Sequence, residues 1–189
     1  MKRTALTVMM TMAMSGSAAY AGHNVPAMGP TVTACLDNYL GPAYAIAPAT
    51  TVSMFARIGV RLEWRNAAQC PSDALHIALS TDTPSDFLPG ALAYAKPYEG
   101  IHIVVFLDRV KATVQAPHVP VVLAHVFAHE IAHILQGCSR HSDSGVMKAL
   151  WTVTDYMDMA WQPLSFTPYD VELIRAGLAN RSNSIAGTR

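Results

Sequence analysis

Charge is scarce in this chain. Thirteen basic and thirteen acidic residues make up 14% of 189, and they cancel. Nucleic-acid binding needs a basic stripe or patch, and none is present, so nucleic acid is excluded as a partner. The same lack excludes a polybasic, membrane-seeking patch. Beyond the N-terminus no segment reads as long and apolar enough to span a bilayer. The most apolar one, around residue 126, carries His125, His129, Glu130 and His133 and is flanked by prolines. Internal repeats and low-complexity tracts are also missing. With 51% hydrophobic residues, what remains is a compact apolar fold rather than a disordered chain.

The first residues carry an export pattern. Lys2 and Arg3 precede an apolar run, Ala5 to Met14, that is too short to cross a membrane. Ala19-Tyr20-Ala21 fits small-x-small cleavage, so residues 1–21 are expected to be a signal peptide. An N-terminal membrane anchor would want a longer apolar run. Residues 22–189 are expected to form a single domain, with 22–33 a loose Gly- and Pro-containing arm, and to act as a secreted or periplasmic monomer without stable membrane association. Export favours one disulfide among Cys35, Cys70 and Cys138. Cys35–Cys70 is the first choice, because Cys138 adjoins the candidate site; three buried thiols are the alternative.

Apolar positions at helical spacing (Val52, Phe55, Ala56, Ile58) end at Gly59. Val60–Trp64 alternates like a half-buried strand, and Leu75–Leu79 is a second candidate. Thr81–Gly90 reads as loop. Gly90–Ala95 is a short extended segment stopped by Pro97, which suits a sheet edge. Ile101–Val110 reads as the strongest strand, Gln115–Pro120 as loop and Val121–Gln136 as a helix apolar on nearly every side, hence buried. Thr167-Pro168-Tyr169-Asp170 starts a last helix, with threonine as cap and Asp170 as its returning partner. Val171, Ile174 and Leu178 form its inner face. The class is α+β.

The chemistry concentrates in His129-Glu130-Ile131-Ala132-His133. Residues four apart share a helix face, so both imidazoles can reach one metal ion, while Glu130 is placed to hold a water. Burying these groups without partners would cost several kcal/mol, and a metal resolves that cost. Gly137 can end the helix and turn the chain so that His141 becomes a third ligand. Three protein ligands and an open position make a catalytic zinc site. Glu172, on the last helix, is the rival third ligand. His125 reads as a satisfied core histidine, and His76, His102 and His118 show no ligand spacing.

These residues resemble the metzincin metallopeptidases, and within them the matrixins, from about Leu92 to Leu178. Leu92-Ala93-Tyr94-Ala95 looks like the edge strand over which such enzymes lay substrate. His129, Glu130 and His133 match the zinc helix, His141-Ser142 the third ligand and the serine after it, and Gly145-Val146-Met147 the methionine turn. The common pattern is H-E-x-x-H-x-x-G-x-x-H. Here the glycine comes one residue late and the histidine two. The resemblance implies a metzincin-like catalytic domain: a mixed twisted sheet, a buried zinc-binding helix, a methionine turn and a C-terminal helix. It implies Zn2+ as cofactor, a peptide or protein substrate, and hydrolysis in which Glu130 serves the zinc-bound water. Trp151 and Leu150, just past the turn, are placed to line the pocket for a substrate side chain. The closest likeness is to uncharacterised exported bacterial matrixin-like proteins.

Overall fold

The computed structural model describes residues 29–37, 41–97 and 100–186. The expected signal peptide, residues 1–21, and residues 22–28 of the expected arm lie outside them. In chain order the elements are β1 (Thr31–Leu36), α1 (Ile46–Ala56), β2 (Arg61–Asn66), β3 (Leu75–Ser80), β4 (Ala93–Ala95), β5 (His102–Phe106), α2 (Leu107–Thr113), α3 (Val119–Gln136), α4 (Val153–Trp161) and α5 (Pro168–Ala186). The strands form one mixed sheet in the order β2-β1-β3-β5-β4. All neighbours run parallel except β4, which lies antiparallel to β5 and leaves its other side free.

α3 is the centre of the molecule. Fifteen of its eighteen residues, from Val119 to Leu135, are buried, so the helix needs no polar face of its own. α1 packs against it: the Thr51 hydroxyl donates to the carbonyl of Ala47 at 2.9 Å, and the carbonyl of Ala124 lies 3.2 Å away. α5 crosses its C-terminal end at Gly177, where any Cβ would run into the Leu135 carbonyl. Leu123, Phe127 and Ile131 of α3, Phe55 of α1 and Ile174 of α5 are fully buried, each contributing roughly 1.5–3 kcal/mol. The α5 cap is built as its sequence predicts. The Asp170 carboxylate accepts from the Thr167 N–H and hydroxyl, and the Asp170 N–H donates to Thr167 Oγ1.

Three expectations are corrected, and one element, α4, was not expected. The strand expected over Ile101–Val110 stops at Phe106, and Leu107–Thr113 is helix. Leu107 and Val110, three apart, are both buried, and a short continuous apolar run does not distinguish a buried strand from a buried helix. The loose arm over 22–33 is wrong for Thr31–Thr33, which belong to β1, paired on both sides between β2 and β3. Small Ala34 and Cys35 gave that strand a weak signal. α4 was missed altogether, although Thr152 and Asp155 form a reciprocal capping box. Finally, Ala116–Gln136 is long and apolar enough to cross a membrane by length and composition, but 89% of its apolar window is buried inside the protein. It is the core helix.

Cys35 and Cys70 form a disulfide that ties β1 to the turn before β3, and Cys138 is free. Closing a loop of 35 residues stabilises the fold by about 4 kcal/mol in the chain-entropy picture.

Candidate metal centre

His129 and His133 sit on one face of α3, and the loop that follows the helix sets the direction of both rings. α3 ends at Gly137, whose φ of 66° is left-handed and favours glycine, with its N–H donating to the His133 carbonyl. The chain then doubles back. The His133 Nδ1–H donates to the Cys138 carbonyl at 3.0 Å, and the His129 Nδ1–H to the Val146 carbonyl at 2.8 Å. Both Nε2 atoms are left facing each other at 3.0 Å. Burial pushes the His129 pKa down to about 3, with His133 adding to the effect, and burial pushes that of His133 down to about 4. Two neutral imidazoles whose Nδ1 protons are already committed present two lone pairs to one point, with no proton between them. A cation satisfies that arrangement. A histidine whose second nitrogen donates to a backbone carbonyl is also the usual form of a metal ligand.

His141 completes the group. Its ring lies 5.2 Å from that of His129 and 4.9 Å from that of His133, and the ligand atoms of the three histidines all fall within 4.8 Å of one another. Among the described residues no other set of three His, Cys, Asp or Glu side chains is so placed. Glu172, the rival, is exposed on α5 and outside the group. The longer connection from Gly137 therefore still returns His141 to the face of α3.

A buried network missed at the sequence level holds that loop. Asp170, fully buried, accepts from the Ser142 hydroxyl at 2.6 Å and pairs with Arg140 at 3.2 Å, besides capping α5. Burial would raise its pKa, but these donors win and hold it below the ordinary carboxylate value. Arg140 also lies over the Tyr169 ring at 4.5 Å. The Ser142 N–H donates to the Met147 carbonyl at 2.7 Å, which closes the turn around Gly145. A Cβ there would strike the Ser165 carbonyl, and its φ is 74°. Met147 itself is fully buried. Thr167-x-x-Asp170 was visible as a cap, but nothing in sequence signals that the same carboxylate serves Ser142.

Glu130 is 7% exposed, and burial raises its pKa to about 8. It lines a cleft of about 840 Å³ together with the three histidines, Leu92–Ala95, Leu150, Trp151 and Tyr156. The Trp151 indole stands edge-on to the His129 ring at 5.7 Å and donates to the Gly145 carbonyl. Arg109, a second missed residue, donates to the carbonyls of Leu88, Ala91 and Phe87 and so pins the segment leading into β4. His125 is a satisfied core histidine: its Nδ1–H donates to the Val121 carbonyl and its Nε2 accepts from the Leu164 N–H. His76 pairs with Asp37 and lies outside the cleft.

The buried histidines predict how stability changes with pH in metal-free protein. Free histidine titrates at 6.5, whereas burial holds His125, His129 and His133 at about 4, 3 and 4. The unfolded chain therefore gains protons below pH 6.5 that the folded chain refuses, and stability falls from there toward pH 4. Glu130 acts in the opposite sense. With a folded value of about 8 against 4.5, it costs stability as pH rises between the two. Urea midpoints of chelator-treated protein should peak at ~7 and fall on both sides, more steeply on the acid side. A flat profile between pH 4 and 7 would contradict the buried, neutral assignment.

No family model and no curated protein matches this chain. Among solved structures it is similar to an archaemetzincin from Methanopyrus kandleri, with a TM-score of 0.50 and 13% identity over 82% of this chain and 98% of that one. At that identity the likeness speaks for the fold. The fold, a mixed sheet with a buried histidine helix and a closing helix, is similar to that of the archaemetzincin, and the three-histidine group fits zinc.

Proposed function

We propose that this protein is an exported, zinc-dependent endopeptidase with His129, His133 and His141 as ligands and Glu130 as general base. The carrying observation is the pair of Nε2 atoms 3.0 Å apart, each ring locked by a carbonyl, with His141 alongside. Zinc held there would supply Lewis acidity to a bound water and to the scissile carbonyl. Glu130 lies next to the first ligand in an apolar setting that raises its proton affinity. Its ionised form would be favoured beside a zinc ion, and the carboxylate could then take a proton from the water and pass it to the leaving amine. The resemblance to matrixins over Leu92–Leu178 and the apolar N-terminal run support the finer, exported reading, and so does the Cys35–Cys70 disulfide, a feature of oxidising compartments.

The free side of β4 receives the substrate in this reading. The Phe106 N–H donates to the Leu92 carbonyl, and Tyr94 lies opposite Val104. In an antiparallel ladder hydrogen-bonded residues alternate, so Leu92 and Tyr94 face β5 while the N–H and C=O of Ala93 and Ala95 point outward. An extended peptide can pair with these two residues as an added strand, with Trp151 and Leu150 beside its side chains. Ala93→Pro removes one outward donor and no inward one, and proline is tolerated at such edge positions. The expected result is an unchanged melting temperature and a KM raised about tenfold, from one lost hydrogen bond plus the intruding ring. An unchanged KM would place the substrate elsewhere.

Metal analysis tests the centre. One zinc per chain is expected for wild type and Glu172→Ala, with loss from His141→Ala. Zinc without cleavage of any peptide in a mixed library would instead indicate a zinc-containing binding domain.

A further inference from the structure

α4 buries one side and leaves another bare. Met159 is 2% exposed, whereas Val153, Met157 and Trp161, spaced four apart on one face, are 75%, 62% and 88% exposed. Isolated exposed apolar residues need no explanation, but three in line on a helix, ending in a tryptophan, form a patch. They form one wall of a groove of about 890 Å³, with Ala112, Thr113 and Val114 at the end of α2 on the other. No Asp, Glu, Lys or Arg lines it. The groove is continuous with the cleft at the metal centre, because both share Ala112, Thr113 and Tyr156.

We propose that this groove extends the substrate site and takes an extended polypeptide with apolar side chains at alternate positions. The proposal rests on the peptidase reading and narrows its substrate class to unfolded or extended segments with such a flank. Geometry selects this occupant. Rungs four residues apart on a helix stand ~6 Å from one another. Alternate side chains on one face of an extended chain recur every ~6.6 Å. A chain paired with Ala93 and Ala95 is already extended and can run past Tyr156 into the groove without changing conformation. The lining is mostly apolar, with Thr113, Gln115, His118 and Tyr156 as its polar members, so it favours apolar side chains over charged ones at those positions.

The test uses one fluorogenic peptide core in three forms: alone, extended by alternating Val and Phe separated by Ser, and extended by Ser and Gln to the same length, on either flank. Wild type is compared with Val153→Ser/Met157→Gln/Trp161→Gln, whose positions are too exposed to threaten folding. In wild type the apolar extension on one flank should raise kcat/KM about tenfold through KM, the effect of taking one or two partly exposed apolar side chains out of water. The triple variant should cleave the bare core as wild type does and lose the gain. Retention of the gain in the triple variant, or no gain in wild type, overturns the proposal. A binding arm separates the two readings. If wild type cleaves nothing, anisotropy and a blue shift of Trp161 emission with the apolar peptide, both lost in the triple variant, sustain the groove while the peptidase reading fails. A wild-type dimer that the triple variant turns into a monomer, or a groove that opens to peptide only after removal of residues 1–28, would assign the patch to another occupant and overturn the proposal.

Discussion

Glu130→Gln should keep one zinc per chain and lose peptide hydrolysis by about 10²–10⁴-fold, the usual contribution of a positioned general base. The substitution is isosteric at a site 7% exposed, so packing of α3 should not change. It removes a carboxyl whose burial raises its pKa to about 8 and puts in an amide that cannot take a proton. The three histidines are untouched, and the His129 and His133 rings are held by the Val146 and Cys138 carbonyls rather than by Glu130. Zinc stoichiometry measured beside kcat therefore separates chemistry from metal loading. If the variant still turns over peptide at the wild-type rate, Glu130 is not the base and the mechanism fails.

Asp170→Ala carries the largest expected effect on stability. The carboxylate is fully buried and serves Ser142, Arg140 and Thr167 together. Removing it leaves the buried Ser142 hydroxyl and the part-buried Thr167 N–H and hydroxyl without their acceptor and opens a hole beneath them, which costs roughly 3–5 kcal/mol and lowers the melting temperature by roughly 10 °C. The damage should also reach the metal, since Ser142 follows His141 in the chain. Zinc should dissociate more readily from Asp170→Ala than from wild type at a temperature where both are folded. Arg140→Ala provides the contrast. Its side chain is 40% exposed, so its pairing is screened by water and its loss should cost no more than about 1 kcal/mol. Melting curves of chelator-treated variants keep the packing effect apart from metal loss. Equal melting temperatures for the two variants would show that Asp170 is not the anchor.

Much of the site was legible in sequence because its signals are local. His129, Glu130 and His133 lie within one helical turn, Gly137 marks its end, and Thr167 and Asp170 face each other across a first turn. The sheet edge at Ala93–Ala95 was announced by Pro97, though not its antiparallel direction. What escaped was either ambiguous locally or long-range. Ile103 to Leu107 is continuously apolar and suits strand or helix, and the break at Leu107 depends on how Leu107 and Val110 meet the core. α4 had its capping box, but only Met159 is fully buried while Val153, Met157 and Trp161 point to solvent, so its apolar spacing did not mark the face that meets the core. Arg109 reaching the carbonyls of Phe87 and Leu88, and Asp170 reaching Ser142, join residues about 20 to 30 positions apart. Such pairs follow from the fold and cannot precede it.

The brevity of β4 has a kinetic consequence. An exposed sheet edge is a template for any extended chain, including another copy of the same protein. Here the edge is three residues long and stops just before Lys96 and Pro97, so it offers outward groups at only Ala93 and Ala95. At about 1 kcal/mol net for each hydrogen bond, such an edge can hold a peptide in register without holding it for long. Products should leave quickly, and aggregation through this edge has too little backbone to grip. A longer β4 would bind more tightly and turn over more slowly.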